Sequence, residues 1–174
     1  MNDKSKILIL GYFGYENNQL DGQTVKTRSV YNLLVERYNG EVFYYDTLIA
    51  RRSPLSLFKL LFKLIKCNTL IIIPALNNLT YIFPIVYYLS KIFNYEIIHV
   101  CVGGWHVEYF IGNKRFKPHP LQLKLSRKIK AFLPEMKKVD TDLKTLLGFQ
   151  NSKYFPNFRK VEYMAVAENK VSES

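Results

Sequence analysis

The sequence predicts an α/β fold in which a parallel sheet carries helices on both faces, and three observations predict it. Short β-branched or leucine-rich runs recur along the chain, as in KILILG (6–11), TLIII (69–73) and YEIIHVCV (95–102), without the polar–apolar alternation of a strand with one wet face. Stretches of helical periodicity separate them. No hairpin turn joins any two runs, so the strands must be connected by crossovers. The 174 residues, 48% of them hydrophobic, suffice for one domain with its own core. The result is a single Rossmann-like domain, expected over residues 1–161, with a tail over 162–174.

The elements follow in order. KILILG is the first strand, closed by Gly11. The loop after it holds two glycines and several Asn or Asp residues, and TVKTRSVYNLLVERY then sets Val25, Val30, Leu33, Leu34 and Tyr38 on one helical face. Asn39-Gly40 stops this helix and EVFYYD makes a second strand. Pro54 opens a helix to about Lys66. After the TLIII strand, Asn77-Asn78 offer caps for a helix to Phe93, with Pro84 kinking it or sitting in its first turns. The interruptions at Pro74, Asn77, Asn78 and Thr80 exclude a membrane span between Leu70 and Phe93. YEIIHVCV is the fourth strand. A loop-rich stretch, a short basic helix near 121–130, a strand in KAFL, a helix opened by Pro134 and Glu135, and a short SKYF strand complete the order.

In such a sheet ligands bind beyond the carboxyl ends of the strands, near the point where the strand order reverses. Two glycine-bearing loops fall at those ends, after Gly11 and after Val102. The first lacks the GxGxxG spacing of dinucleotide-binding proteins. Gly22 at a helix start, with Lys26 and Arg28 nearby, suits an anion, and a flexible surface loop ending in a cap reads equally well. In the second loop Trp105 can pack on a sugar face and His106 can orient a hydroxyl or take its proton, while a core aromatic beside an exposed loop histidine is the plainer reading. His99 lies within a strand, where a buried, locally hydrogen-bonded imidazole is expected. His119 lies between two prolines. The histidine spacing is neither helix-type nor finger-type, so no metal and no cofactor are expected. Cys67 and Cys101 read as buried, reduced thiols, which fits the cytoplasm.

With 25 Lys and Arg against 14 Asp and Glu, the net charge of +11 is compatible with an anionic partner, and bulk charge does not choose between nucleic acid, an acidic membrane and a phosphorylated substrate. The lysines are spread over several helices, which argues against nucleic acid. Within RRSPLSLFKLLFKLIK, Lys59, Lys63 and Lys66 share one helical face. This is the pattern of a basic amphipathic helix on an anionic membrane, or of a core helix with a solvated lysine face.

Three stretches in order, GYFGYENNQLDGQTVKTRSVYNLL, HVCVGGWHVEYF and MKKVDTDLKTLLGFQNSKYFPNFRKV, resemble the N-terminal domain of GT-B glycosyltransferases of the family-4 type that build capsular and surface polysaccharides. The similarity runs from Lys6 to about Val161, and the run Asn18 to Thr24 is its most specific part. It implies an acceptor-binding domain facing a donor domain across a cleft. Asp21, Gly22 and Gln23 would then approach the donor phosphates and the reacting sugar, Gly103, Gly104 and Trp105 would line the acceptor side, and His106 would act on the acceptor. A donor domain with its pair of glutamates is not found in these 174 residues. The expected function is therefore binding of a sugar acceptor, lipid-linked acceptors included, in the cytoplasm or at the inner face of the membrane, with transfer from a nucleotide-sugar only when a C-terminal domain partner is present. The alternative is a non-catalytic, membrane-associated scaffold or a remnant of such an enzyme.

Overall fold

The computed structural model describes residues 5–15, 20–52 and 55–157, with the side chains of 50–52 also left aside. Pro54, residues 16–19, the 161/162 boundary and the tail lie outside these. Five strands form one sheet: β1 (Lys6–Gly11), β2 (Glu41–Asp46), β3 (Thr69–Ile73), β4 (Glu96–Val100) and β5 (Ala131–Leu133). All pair in parallel, in the order β2-β1-β3-β4-β5. The expected fold class is the observed one. The SKYF segment contributes only a bridge between Ser152 and Phe132.

The strands are buried on both faces because helices cover both. On one side Leu8, Leu10, Leu70, Ile72, Ile97 and Phe132 pack beneath α3 (Ser56–Lys66), α4 (Phe83–Phe93), α5 (His106–Ile111), α6 (Pro120–Ser126) and α7 (Lys137–Leu147). On the other, Ile7, Ile9, Ile71 and Ile73 meet α1 (Gly22–Arg37) through Val30, Tyr31 and Leu34. Helix α1 comes close to the sheet because a side chain on Gly11 would already lie 3.0 Å from Thr27. Its inward face is more polar than expected: Thr24, Lys26, Thr27 and Val30 are buried, whereas Leu33 faces solvent.

Several boundaries shift for local reasons. A separate helix α2 (Thr47–Arg52) precedes α3, started by the Asp46 carboxylate accepting the Leu48 N–H at 2.9 Å. Asn77 gives no side-chain cap. A π-helical turn over Asn78–Ile82 leads instead into α4, whose second residue is Pro84, and the Thr80 carbonyl one turn back, which Pro84 cannot bond, accepts the Gln122 side-chain amide at 2.9 Å. Pro134 and Glu135 lie in the link after β5, and α7 begins at Lys137.

Candidate functional site

The strand order reverses between β1 and β3, and a polar cleft of about 340 Å³ opens there at the carboxyl ends of the strands. Tyr12 enters it from the end of β1, Thr47 from the end of β2, Ala75 and Asn78 from beyond β3, and Asp21 and Gln23 from the start of α1. Asp21 caps α1, its carboxylate accepting the Thr24 N–H at 2.8 Å. Gln23 ties the first turn to the sheet by donating its side-chain amide to the Ile73 carbonyl at 3.1 Å. Among the described residues nothing lies within 4 Å of where a side chain on Gly22 would stand, so none of them covers the helix start.

The cations beside this helix start are committed to the protein. Arg28 donates to the Phe13 and Gly14 carbonyls, both at 2.7 Å, and covers the Tyr15 ring. It thus folds the loop after β1 onto α1. Lys26 is buried, 3.8 Å from the Glu135 carboxylate and 3.1 Å from the Asn157 side-chain oxygen. Burial pulls its pKa below the ordinary lysine value, and Glu135 opposes that shift. The expectation that these two cations face an anion at the helix start is thereby corrected: both are spent on intramolecular contacts.

The loop after β4 shares the same sheet edge, as the all-parallel register requires. Gly103 has φ of +77°, a conformation that favours glycine, and its N–H donates to Glu135 at 2.7 Å. A side chain on Gly104 would stand 3.1 Å from the Met136 sulfur. Gly103, Gly104 and Trp105 are not among the residues lining the switch-point cleft, but α5 is coupled to its wall: the Tyr109 hydroxyl is 3.0 Å from that of Thr80, two residues beyond Asn78. Trp105 is half-buried and stacks on His106, centroids 4.0 Å apart.

His106 is not an exposed loop residue. It is the first residue of α5 and fully buried, and desolvation, opposed by the Gly103 backbone, holds its pKa down at about 3. In this arrangement it has no open path to an acceptor hydroxyl. A part in proton transfer requires the Trp105 loop to lift. His99 is buried as expected, but neither ring nitrogen has a hydrogen-bond partner among the described residues. The spacing argument against a metal loses its premise here. Cys101 sits between His99 and His106 in sequence, and the ligand atoms of all three lie within 4.8 Å of one another. His119 stands just ahead of α6 and stacks on Tyr109 at 4.1 Å.

Helix α3 departs from both readings of its lysines. Leu60 and Leu64 face the core, and Lys63 turns inward to donate to the Tyr44 carbonyl at 2.5 Å, with burial lowering its pKa. Lys59 and Lys66 flank the helix. Its outermost face is apolar, with Leu55 just ahead of it and Phe58, Phe62 and Ile65 along it, all exposed. An apolar groove of about 250 Å³ separates α3 from α4, where Ile85 and Ile92 are exposed as well. No helix among the described residues is long and apolar enough to cross a membrane.

Glu135 is the residue the sequence reading missed. Its one signal was position, immediately beyond the last strand at the ligand-binding edge, and the adjacent proline drew it into a helix start instead. Comparison with known proteins yields no match: no protein-family profile, curated protein or solved structure is significantly similar to the chain.

Proposed function

We propose that this chain is the acceptor-binding half of a glycosyltransferase for surface polysaccharide or glycolipid synthesis, acting with a donor-binding domain that holds the nucleotide-sugar. The observation that carries the reading is the polar cleft at the strand-order reversal, with the open first turn of α1 on one side. Sugar transfer needs a hydroxyl held in line with the anomeric carbon and a leaving diphosphate stabilised as it departs. Asp21 and Gln23 supply polar groups on rigid elements, and the bare Gly22 backbone admits a phosphate-bearing sugar closely. The half-buried Trp105 offers an aromatic surface on the neighbouring loop. A partner domain closing over this edge would exclude water from the reacting centre.

The apolar outer face of α3, flanked by Lys59 and Lys66, supports docking on an anionic membrane, where a lipid-linked acceptor would be presented. Phe58 and Phe62 then carry more of the attachment than Lys63, which is occupied within the fold.

The deciding experiment mixes purified chain, lipid-linked acceptor in anionic vesicles and a nucleotide-sugar, with and without a GT-B donor domain supplied in trans. The chain alone should bind acceptor, weaken on Gln23→Ala or Trp105→Ala, and transfer nothing. Transfer should appear on adding the donor domain. Turnover by the chain alone at roughly 1 per second or faster would overturn the reading by placing the whole reaction in this domain. Vesicle binding that survives Phe58→Ser/Phe62→Ser would remove α3 as the docking face.

A further inference from the structure

The pleat of β4 and its extension sends alternate side chains to the same face, so His99 and Cys101 point together into the layer beneath α5. Helix α5 then brings His106 back over them. Ligand atoms from the three residues lie within 4.8 Å of one another, and the two imidazole centroids are 5.4 Å apart at 69°. All three are fully buried. The walls are aromatic: Phe132 lies 4.3 Å from the His99 ring, Phe83 lies 6.2 Å from it, and Trp105 covers His106. None of the four ring nitrogens makes a hydrogen bond of good geometry among the described residues, although the Gly103 backbone lies near enough to favour the charged form of His106. Buried polar groups are ordinarily satisfied, so two adjacent imidazoles left bare in a dry, aromatic pocket call for a ligand.

We propose that His99, Cys101 and His106 bind one copper(I) ion in a three-coordinate centre of two nitrogens and one sulfur. Softness points to this ion, since a thiolate with two imidazoles suits a thiophilic, closed-shell cation. So does charge. One thiolate and one monovalent cation sum to zero, and the Glu135 and Lys26 charges that reach Cys101 offset each other, whereas zinc would leave a net positive charge there. Coordination number agrees as well. Structural zinc takes four ligands, and no fourth His, Cys, Asp or Glu joins this group among the described residues. Burial disfavours the charged form of all three groups, which keeps the imidazoles ready to coordinate but the Cys101 thiol protonated, so copper must displace that proton. On binding, the Cys101 S–H bond breaks, its proton passes to solvent and the sulfur lone pair forms the bond to copper. No electron is transferred.

Entry is through the loop above. Trp105 is the half-buried cover on His106, and it follows Gly103 and Gly104, the first of them in the left-handed region. Swinging that loop exposes the His106 ring. Once bound, copper would fasten α5 to β4. The inference is independent of sugar transfer.

The test is titration of the purified metal-free chain with copper(I), kept reduced by ascorbate and buffered by a bicinchoninate competitor, followed by X-ray absorption at the copper edge. Expected are about one copper per chain, one sulfur and two nitrogen neighbours, and a rise in melting temperature. Cys101→Ser and His99→Phe should weaken retention by more than about 100-fold, beyond the 10- to 100-fold typical of outer-shell changes. Cys67→Ser, altering the other buried thiol, should leave it unchanged. Circular dichroism of the copper-free variants separates ligand loss from misfolding, and should either variant fail to fold, the neighbour set at copper in the unaltered chain decides. Equal retention by folded Cys101→Ser, a copper site lacking sulfur, or tighter binding of zinc than of copper(I) would each overturn the proposal.

Discussion

The loops after β1 and after β4 open on the same sheet edge but are stabilised in opposite ways. In the first, polar groups bind other polar groups: Asp21 caps α1, Gln23 holds Ile73, and Arg28 holds Phe13 and Gly14. In the second, aromatic rings enclose two histidines whose nitrogens make no well-formed hydrogen bond among the described residues, over a backbone that needs glycine at 103. Satisfied polar contacts fix a shape cheaply in contact with water. Unsatisfied ones in a core make stability depend on protonation and on whatever ligand fills the space.

The largest expected separation between the two loops is in acid. An unfolded histidine binds a proton near pH 6.5, but folded His106 does so only at about 3, so the unfolded state holds more protons between those values. Stability is therefore full above pH 6.5 and falls as the pH drops toward 3, by an amount on the order of a few kcal/mol. His99, also held low, adds to the loss. Urea unfolding of the metal-free chain across this range should show the slope, and His106→Phe should reduce it, leaving the part due to His99. An unchanged slope in that variant would mean that the histidine pair does not set acid stability.

Smaller effects follow from single substitutions, each read by thermal or urea unfolding. Gly103→Ala should cost about 1–3 kcal/mol, from its left-handed backbone and the Trp105 ring 3.3 Å from the added methyl. Asp21→Ala should cost about 1 kcal/mol through loss of the cap, with Asp21→Asn restoring most of it. Gly22→Ala should raise stability by a few tenths of a kcal/mol, because no described residue stands near the added methyl and the unfolded chain loses freedom. If Gly22→Ala also weakens acceptor binding, the open helix start serves the ligand and not the fold.

The sheet was legible because its signal is one-dimensional: uninterrupted apolar runs separated by helical stretches leave few other arrangements. Helix α1 was legible as an element but not as a packing face. A thin gap over Gly11 favours Thr27 there, and periodicity alone assigned Leu33 to the core. The direction of the Lys63 side chain was hidden for a related reason, since only the neighbouring β2 strand reveals the carbonyl it reaches. The glycine loops could be found from strand ends. What could not be found was the grouping of His99 with Cys101 and His106, because it depends on α5 folding back over the end of β4, and no spacing rule for helices or fingers describes that turn.

One carboxylate joins three parts of the ligand-binding edge. Glu135 accepts the Gly103 N–H from one loop and sits beside Lys26 from α1, while its own backbone belongs to the segment leaving β5. For anyone re-engineering this protein, the loops at this edge are not interchangeable parts. A transplanted segment after β4 must bring an N–H to the position of Gly103, and a new residue at 26 must answer the same acid, or the graft leaves a buried charge without its counterpart.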